Sequence, residues 1–423
     1  MPKLITENYE ITELDNGIRI VSEYIPYFRS ISLGIWVASG SRNEAKQLAG
    51  ISHLIEHLLF KGTKNRTNKE IAIEFDSVGA DFNAFTDKEV SCFYCDFIDT
   101  HLEKCGELLF DIVFNPLFNP ESLRTEKKII MEEIKMVQDT PSEDIFNYFY
   151  KEVLDGHSLS LPILGSKESL LRINEKDVWD YFKETFTFKN VVISAAGNVK
   201  HKDLIEVVKK NIENLQVFSS ISNSKKVYFR PRIKRNIKIV GRKIKSSNLC
   251  YGGIGCARLS NDKFALSVLQ NIIGGSMSSR LFQKIREDNG LAYSIFASNA
   301  QYSDIGVIYI YAASDSKNLG TIINMIENEI NDIRVNGVTQ IELERAKENM
   351  KGGIVLNIEE ISSRMCRFGK NLLLDNYILS INDILNKIDT VSKEKVQEIC
   401  IKYYDPGQMN IVILGEANER SLK

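Results

Sequence analysis

Five histidines occur in the chain, and two fall in one pentapeptide, His53-Leu54-Ile55-Glu56-His57. Residues three and four apart lie on one face of a helix, so His53, Glu56 and His57 can point the same way. Two imidazoles one turn apart can share a single Zn²⁺, and a carboxylate beside them can hold a water on that ion. The order is H-x-x-E-H, the reverse of the commoner H-E-x-x-H. The competing reading is a helix with surface histidines and a solvated Glu. The scarcity of histidine elsewhere in the chain weighs against it.

A catalytic zinc needs a third protein ligand and an open position for water. Candidates lie in residues 126–137, where Ile129, Ile130, Ile134 and Val137 recur at helical spacing and predict an amphipathic helix. Glu126 and Glu133 are two turns apart and share a face, whereas Glu132 points about 100° away and is expected in solvent. Spacing alone leaves both Glu126 and Glu133 open as the third ligand, and helical glutamates are more often plain surface charge.

Around these helices the chain reads as alternating strands and helices. Ile18–Tyr24 and Ser30–Val37 predict strands before the histidine segment, and the polar stretch 39–44 a loop leading into it. Residues 79–87 lead into a further strand, their Gly and Asn suggesting a bend at a sheet edge. A helix is expected over 102–114 and another through the glutamates. The first half closes on a strand at 190–198 and a helix to about Leu215. Residues 217–226 are serine-rich and polar, the best linker. Beyond them the plan repeats: strands near 237–240 and 248–252 precede a helix from Lys263, and 409–415 echoes 190–197. That order predicts an internal duplication. The second half has no H-x-x-E-H, so one chain would hold one metal site. The expected division is 1–216 for the metal-binding domain, 217–227 for the linker and 228–423 for its partner domain.

At 423 residues there is ample length for two cored domains. A net charge of −2 leaves no bulk footprint for nucleic acid, and no apolar run reaches the length of a membrane span. The N-terminus lacks the layout of a signal peptide or an Arg-rich presequence, so a cytoplasmic location is expected. The seven cysteines are an odd, scattered set, as in a reducing compartment. Cys92 and Cys95 form a C-x-x-C, but on a strand such residues face opposite sides, so buried structural thiols are expected.

The chain resembles the insulinase/pitrilysin family of zinc peptidases, most closely its mitochondrial-processing-peptidase-like branch with the related bacterial processing proteases. The matching residues are His53-x-x-Glu56-His57, Phe60-Lys61-Gly62-Thr63, Asn83-Ala84-Phe85-Thr86, and Glu126 with Glu133 at the family's distance from the histidines. In the second half the match runs from Gly274-Gly275-Ser276 through Arg280-Leu281 to Arg286-Glu287-Asp288-Asn289-Gly290-Leu291-Ala292-Tyr293-Ser294. It covers nearly the full chain.

The resemblance implies an α+β fold of two homologous α/β-sandwich halves, forming a clam shell around a peptide-binding cavity. It implies a zinc endopeptidase acting on peptides or unfolded protein segments. One Zn²⁺ per chain would be held by His53, His57 and Glu133. Glu56 would act as general base and Glu126 would orient a ligand or the water. Arg286 and Tyr293 match the family's clamp on the substrate carbonyl and backbone, where a cation and a phenol would face a developing oxyanion. Asn83 and Ala84 match an edge strand to which an extended peptide can add. Phe60 would wall the pocket after the scissile bond. Glu143 matches one of two acids that read an arginine near the cleavage site, with Asn147 standing at the second position. Pairing with a second copy is expected from the branch, and neither nucleic acid nor membrane is. The competing reading is a non-catalytic substrate-binding or scaffold subunit. Such relatives usually lose metal ligands, and this chain keeps them all.

Overall fold

The computed structural model describes residues 5–213, 215 and 234–417. The linker expected at 217–227 lies outside them. The chain divides into two compact units. The described residues of one fall within Met1–Lys135, Leu161–Tyr228 and Leu356–Ser380; those of the other fall within Met136–Ser160, Phe229–Val355 and Ile381–Lys423.

The first unit is built on six strands: β1 (Tyr9–Glu13), β2 (Arg19–Tyr24), β3 (Ser30–Val37), β4 (Asp81–Thr86), β5 (Ser91–Ile98) and β6 (Val191–Gly197). Their order is β1-β2-β6-β3-β5-β4, with β2 and β6 parallel and all other neighbours antiparallel. Successive strand residues face opposite sides. On β3, Ile31, Leu33, Ile35 and Val37 join the main core with the helices Ile51–Leu59 and Leu102–Phe114. Trp36 faces the other way, with Val21, Cys92, Val192 and Ala196. Cys95 lies in the main core and Cys92 behind the sheet, the opposed placement their spacing predicts. All seven cysteines are free thiols.

Helix Ile361–Asp375 covers that second face through Met365, Phe368 and Leu372. The approach is close because two glycines face it. A Cβ on Gly34 would sit 2.5 Å from Met365 Sδ, and one on Gly369 would sit 2.0 Å from Trp36 Nε1. The indole N–H donates to Ser194 Oγ at 2.8 Å, so its one polar atom is satisfied in the core.

The second unit repeats the plan on β7 (Asn236–Gly241), β8 (Ser247–Gly255), β9 (Ser294–Gln301), β10 (Gly306–Ser314) and β11 (Asn410–Gly415). Their order, β7-β11-β8-β10-β9, matches β2-β6-β3-β5-β4 strand for strand, and β7–β11 is again the parallel pair. The fold is therefore α+β in two halves of one topology. Here the covering helix is Pro141–Val153, whose Ile145, Phe149 and Val153 pack on Cys250, Val307, Val412 and Leu414.

Each covering helix thus comes from the opposite half of the sequence. Pro141–Val153 follows the long helix Pro120–Asp139, as Ile361–Asp375 follows the long helix Gln340–Asn357. The packing units differ from the contiguous division expected from sequence in these two exchanged helices. Among the described residues no helix is long and apolar enough to cross a membrane.

Candidate metal centre

The histidines lie on helix Ile51–Leu59. Its apolar stripe of Ile51, Leu54, Ile55, Leu58 and Leu59 is buried, which turns His53, Glu56 and His57 to the opposite, half-buried face. The helix begins at Gly50, whose φ of +94° belongs to the left-handed region that favours glycine. Its first amides are held by Glu44, whose carboxylate accepts from Gly50 N at 2.7 Å and Ser52 N at 2.9 Å. Burial pushes the Glu44 carboxyl up to about 7 against the pull of those amides.

The glutamates lie on helix Pro120–Asp139. They bracket the two ring nitrogens of His57. Glu126 Oε2 lies 3.1 Å from Nδ1, and Glu133 Oε1 lies 3.6 Å from Nε2. Glu133 Oε2 also stands 3.8 Å from His53 Nε2, and the two imidazole rings meet edge-on with centroids 4.6 Å apart. One donor atom from each of His53, His57 and Glu133 falls within 4.8 Å of the others. Tetrahedral ligands about 2.0–2.1 Å from one Zn²⁺ lie about 3.3 Å apart, so the set fits that ion when its widest pair closes by up to about 1.5 Å. The ligand chemistry, two neutral imidazoles and a carboxylate, fits it too.

Glu126 decides the tautomer. Accepting from His57 Nδ1–H leaves the lone pair on Nε2, the nitrogen facing Glu133. Glu126 is almost wholly buried, and its other oxygen lies 3.0 Å from Lys61 Nζ. Nδ1 of His53 has no hydrogen-bond partner among the described residues. Burial, then the neighbouring His57, lower the His53 pKa to about 4, which keeps that ring neutral. Glu132 is exposed and pairs with Lys135, as its direction predicts. Ile129, expected on the apolar face, is instead 40% exposed. The buried stripe runs Leu123, Glu126, Ile130.

Glu56 shares the face of the histidines. Thr86 Oγ1, at the end of β4, donates to Glu56 Oε2. Burial raises the Glu56 pKa from the ordinary carboxylate range; Glu133 adds to that, while the Thr86 bond and His57 oppose it.

The remaining expected residues are placed as follows. Asn83 and Ala84 lie on β4, the edge strand of its sheet, and Asn83 Oδ1 accepts from Ala84 N at 2.8 Å. Phe60 is half-buried, with ring centroids 5.4 Å from Phe82 and 6.4 Å from Phe93. Arg286, Tyr293 and Glu143 belong to the other unit. Arg286 lies over the Phe282 ring at 4.8 Å, and Tyr293, just before β9, is 68% exposed. In the motif between the halves of that match, the backbone kinks at Gly274, where a Cβ would meet Ala297 N at 2.6 Å. Glu143 is exposed in the first turn of Pro141–Val153. Its neighbour Asp144 turns inward to Arg242 at 2.7 Å, and Asn147 Nδ2 lies 3.4 Å from Asp144 Oδ1.

Sequence reasoning missed Lys61, Glu44 and Thr86 as partners of this centre. Lys61 follows His57 by four residues, a one-turn spacing that was readable. Glu44 sits in the loop before a helix N-terminus, where an acid is favoured. Thr86 closes the matched motif Asn83-Ala84-Phe85-Thr86, but nothing in that stretch gives it a role.

Comparison with known proteins matches residues 19–167 to the family model "Insulinase (Peptidase family M16)" and residues 172–350 to "Peptidase M16 inactive domain". The chain is 37% identical over 382 residues to the uncharacterized zinc protease YmxG of Bacillus subtilis, covering 90% of this chain and 92% of that protein. It is 32% identical over 396 residues to an uncharacterized zinc protease of Mycobacterium leprae, covering 92% and 87%. In fold it is similar to a protease from Helicobacter pylori, with a TM-score of 0.90 at 22% identity over 97% of this chain and 100% of that one.

Proposed function

This chain belongs to the insulinase family of peptidases, family M16, and we propose that it is a zinc-dependent endopeptidase acting on peptides or unfolded protein segments. The observation that carries the reading is the bracketing of His57, with Glu133 at Nε2 and Glu126 at Nδ1, beside His53 and Glu56. His53, His57 and Glu133 would hold one Zn²⁺ per chain. Glu126 would fix the His57 ring. Zinc, when bound, supplies Lewis acidity that acidifies a water and polarises the scissile carbonyl.

Glu56 supplies the proton transfers. Its Oε2 is held by Thr86, and its Oε1 has no hydrogen-bond partner among the described residues. The free oxygen takes the proton from the attacking water and delivers it to the leaving amine, two transfers that leave Glu56 as it began. Burial, which raises its pKa, favours the proton uptake of the first transfer.

The outer edge of β4 is the docking strand. An extended substrate would add there by main-chain hydrogen bonds, exchanging with the Asn83 side chain for the Ala84 amide. What favours this reading over a non-catalytic subunit is that the three candidate ligands gather, with Glu56 on the same helix face as the two histidines. The test is Glu56→Gln. Chelator-sensitive cleavage of an unstructured peptide should fall by at least about 100-fold, with zinc content at one per chain as in wild type. Zinc bound without cleavage in the wild-type protein would overturn the peptidase reading. Zinc content unchanged in both His57→Ala and Glu133→Ala would overturn the ligand assignment.

A further inference from the structure

The proposed base is a long, rotatable side chain, yet its two oxygens stand in different settings. Oε2 accepts from Thr86 Oγ1, while Oε1 has no partner among the described residues. Thr86 is itself constrained. Its hydroxyl lies 3.3 Å from Ser91 Oγ, and Ser91 Oγ donates to the Ser39 carbonyl at 2.9 Å.

The hydrogens in this chain can be assigned by counting donors. An ionised carboxylate only accepts, and each hydroxyl has one hydrogen. Ser91 commits its hydrogen to the Ser39 carbonyl. Among the described residues Thr86 Oγ1 has Glu56 and Ser91 Oγ within reach, and the charge-assisted bond to Glu56 is the stronger. The Thr86 hydroxyl is therefore aimed at Glu56, backed by a serine whose own hydrogen is already placed. Both Thr86 and Ser91 sit on strands, paired across β4 and β5 as direct neighbours. The device rests on sheet backbone rather than on a loop.

We propose that Thr86 is a positioning residue for Glu56: it pins one carboxylate oxygen so that the other is presented to the attacking water. The inference rests on the peptidase reading above. A base held by only one oxygen keeps a fixed plane and a fixed free lone pair, and loss of such placement by about 1 Å can cost about 100-fold in rate.

The test uses the full zinc-loaded chain and a quenched fluorescent peptide cut by the wild type. Thr86→Val keeps the β-branched shape and removes the hydroxyl. Thr86→Ser keeps the hydroxyl and removes the methyl. The proposal expects kcat to fall about 10- to 100-fold in Thr86→Val, with KM and zinc content unchanged, and expects Thr86→Ser to stay within about threefold of wild type. A purely structural role for Thr86 gives the reverse order, because valine preserves the packing. A crystal structure of Thr86→Val should show Glu56 leaving its wild-type rotamer, a readout that does not depend on turnover. Where Thr86→Val fails to fold, a Thr86→Ser enzyme as slow as Thr86→Ala overturns the proposal, and one that stays near wild type while Thr86→Ala falls supports it. Cleavage lost in Glu56→Gln but intact in Thr86→Val overturns this proposal alone. Cleavage retained in Glu56→Gln overturns the base assignment and this proposal with it.

Discussion

Substitution of Glu126 separates a residue that holds metal from one that holds a ligand. Its carboxylate touches His57 Nδ1 at 3.1 Å and Lys61 Nζ at 3.0 Å, and it lies on the far side of His57 from Glu133. Glu126→Gln keeps an acceptor for the imidazole N–H but loses the charge that opposes Lys61. Glu126→Ala loses both, freeing the ring to rotate and leaving an uncompensated ammonium near a dication. Partners of metal-binding histidines typically contribute 10- to 100-fold in affinity, or about 1.4–2.8 kcal/mol. The expected order of zinc dissociation constants is therefore wild type, then Gln at about tenfold weaker, then Ala at up to about 100-fold weaker. Competition with a chromophoric chelator on metal-stripped protein measures this directly. Stoichiometry at saturation should stay at one in both variants, unlike in Glu133→Ala. The metal-free fold should also weaken in Glu126→Ala, by about 1–3 kcal/mol, because the carboxylate is almost wholly buried and His57 Nδ1–H loses its acceptor. Zinc held as tightly by Glu126→Ala as by wild type would refute the orienting role. Zinc lost altogether at saturation would make Glu126 a ligand and the geometric assignment wrong.

Three further outcomes test the proposed roles of Tyr293 and Glu143 and the packing of Gly369. Tyr293→Phe should lower kcat about 100-fold with zinc retained; the side chain is 68% exposed, so its melting temperature should not move, and full activity would remove Tyr293 from the chemistry. Glu143→Gln should flatten a preference for arginine near the cleavage site in a peptide-library profile. A wild type without that preference, or a variant that keeps it, leaves Glu143 as a charge at a helix N-terminus. Gly369→Ala forces a methyl to within 2.0–2.5 Å of three indole atoms of Trp36 and should cost about 1–3 kcal/mol by urea unfolding. Gly353→Ala, in a helix with nothing within 4 Å, should instead stabilise by about 0.5–1 kcal/mol, and equal effects of the two would show that the Trp36 contact is not tight.

The site was legible in the sequence wherever its geometry is set by helical periodicity. His53, Glu56 and His57 face one way because Leu54, Ile55 and Leu58 face the other, and both sets are spelled out within nine residues. The choice between Glu126 and Glu133 was not legible from spacing. Both lie on one face, and only the placement of their helix beside His57 assigns one to each ring nitrogen. One signal was there to be read. Glu126 occupies the stripe shared by Leu123 and Ile130, so a carboxylate stands where an apolar residue would bury without cost. Ile129 drew attention instead, and it is exposed. The bond of Thr86 to Glu56 was not legible, because it joins residues thirty positions apart through sheet register.

The fold follows the same division between local and tertiary information. The two sheets repeat one strand order, the repetition that the order of predicted elements suggests. The exchange of covering helices could not be read from that order. Pro141–Val153 and Ile361–Asp375 have the ordinary amphipathic pattern of helices that pack on the nearest sheet. Their own halves already cover one face of each sheet, and a strand such as β3, buried along seven of its eight residues, needs cover on both. Trp36 states the requirement: a large side chain between the inward residues Ile35 and Val37 faces away from the main core and must find another. Gly369 is its complement, 333 positions later, and neither residue alone says where the other lies.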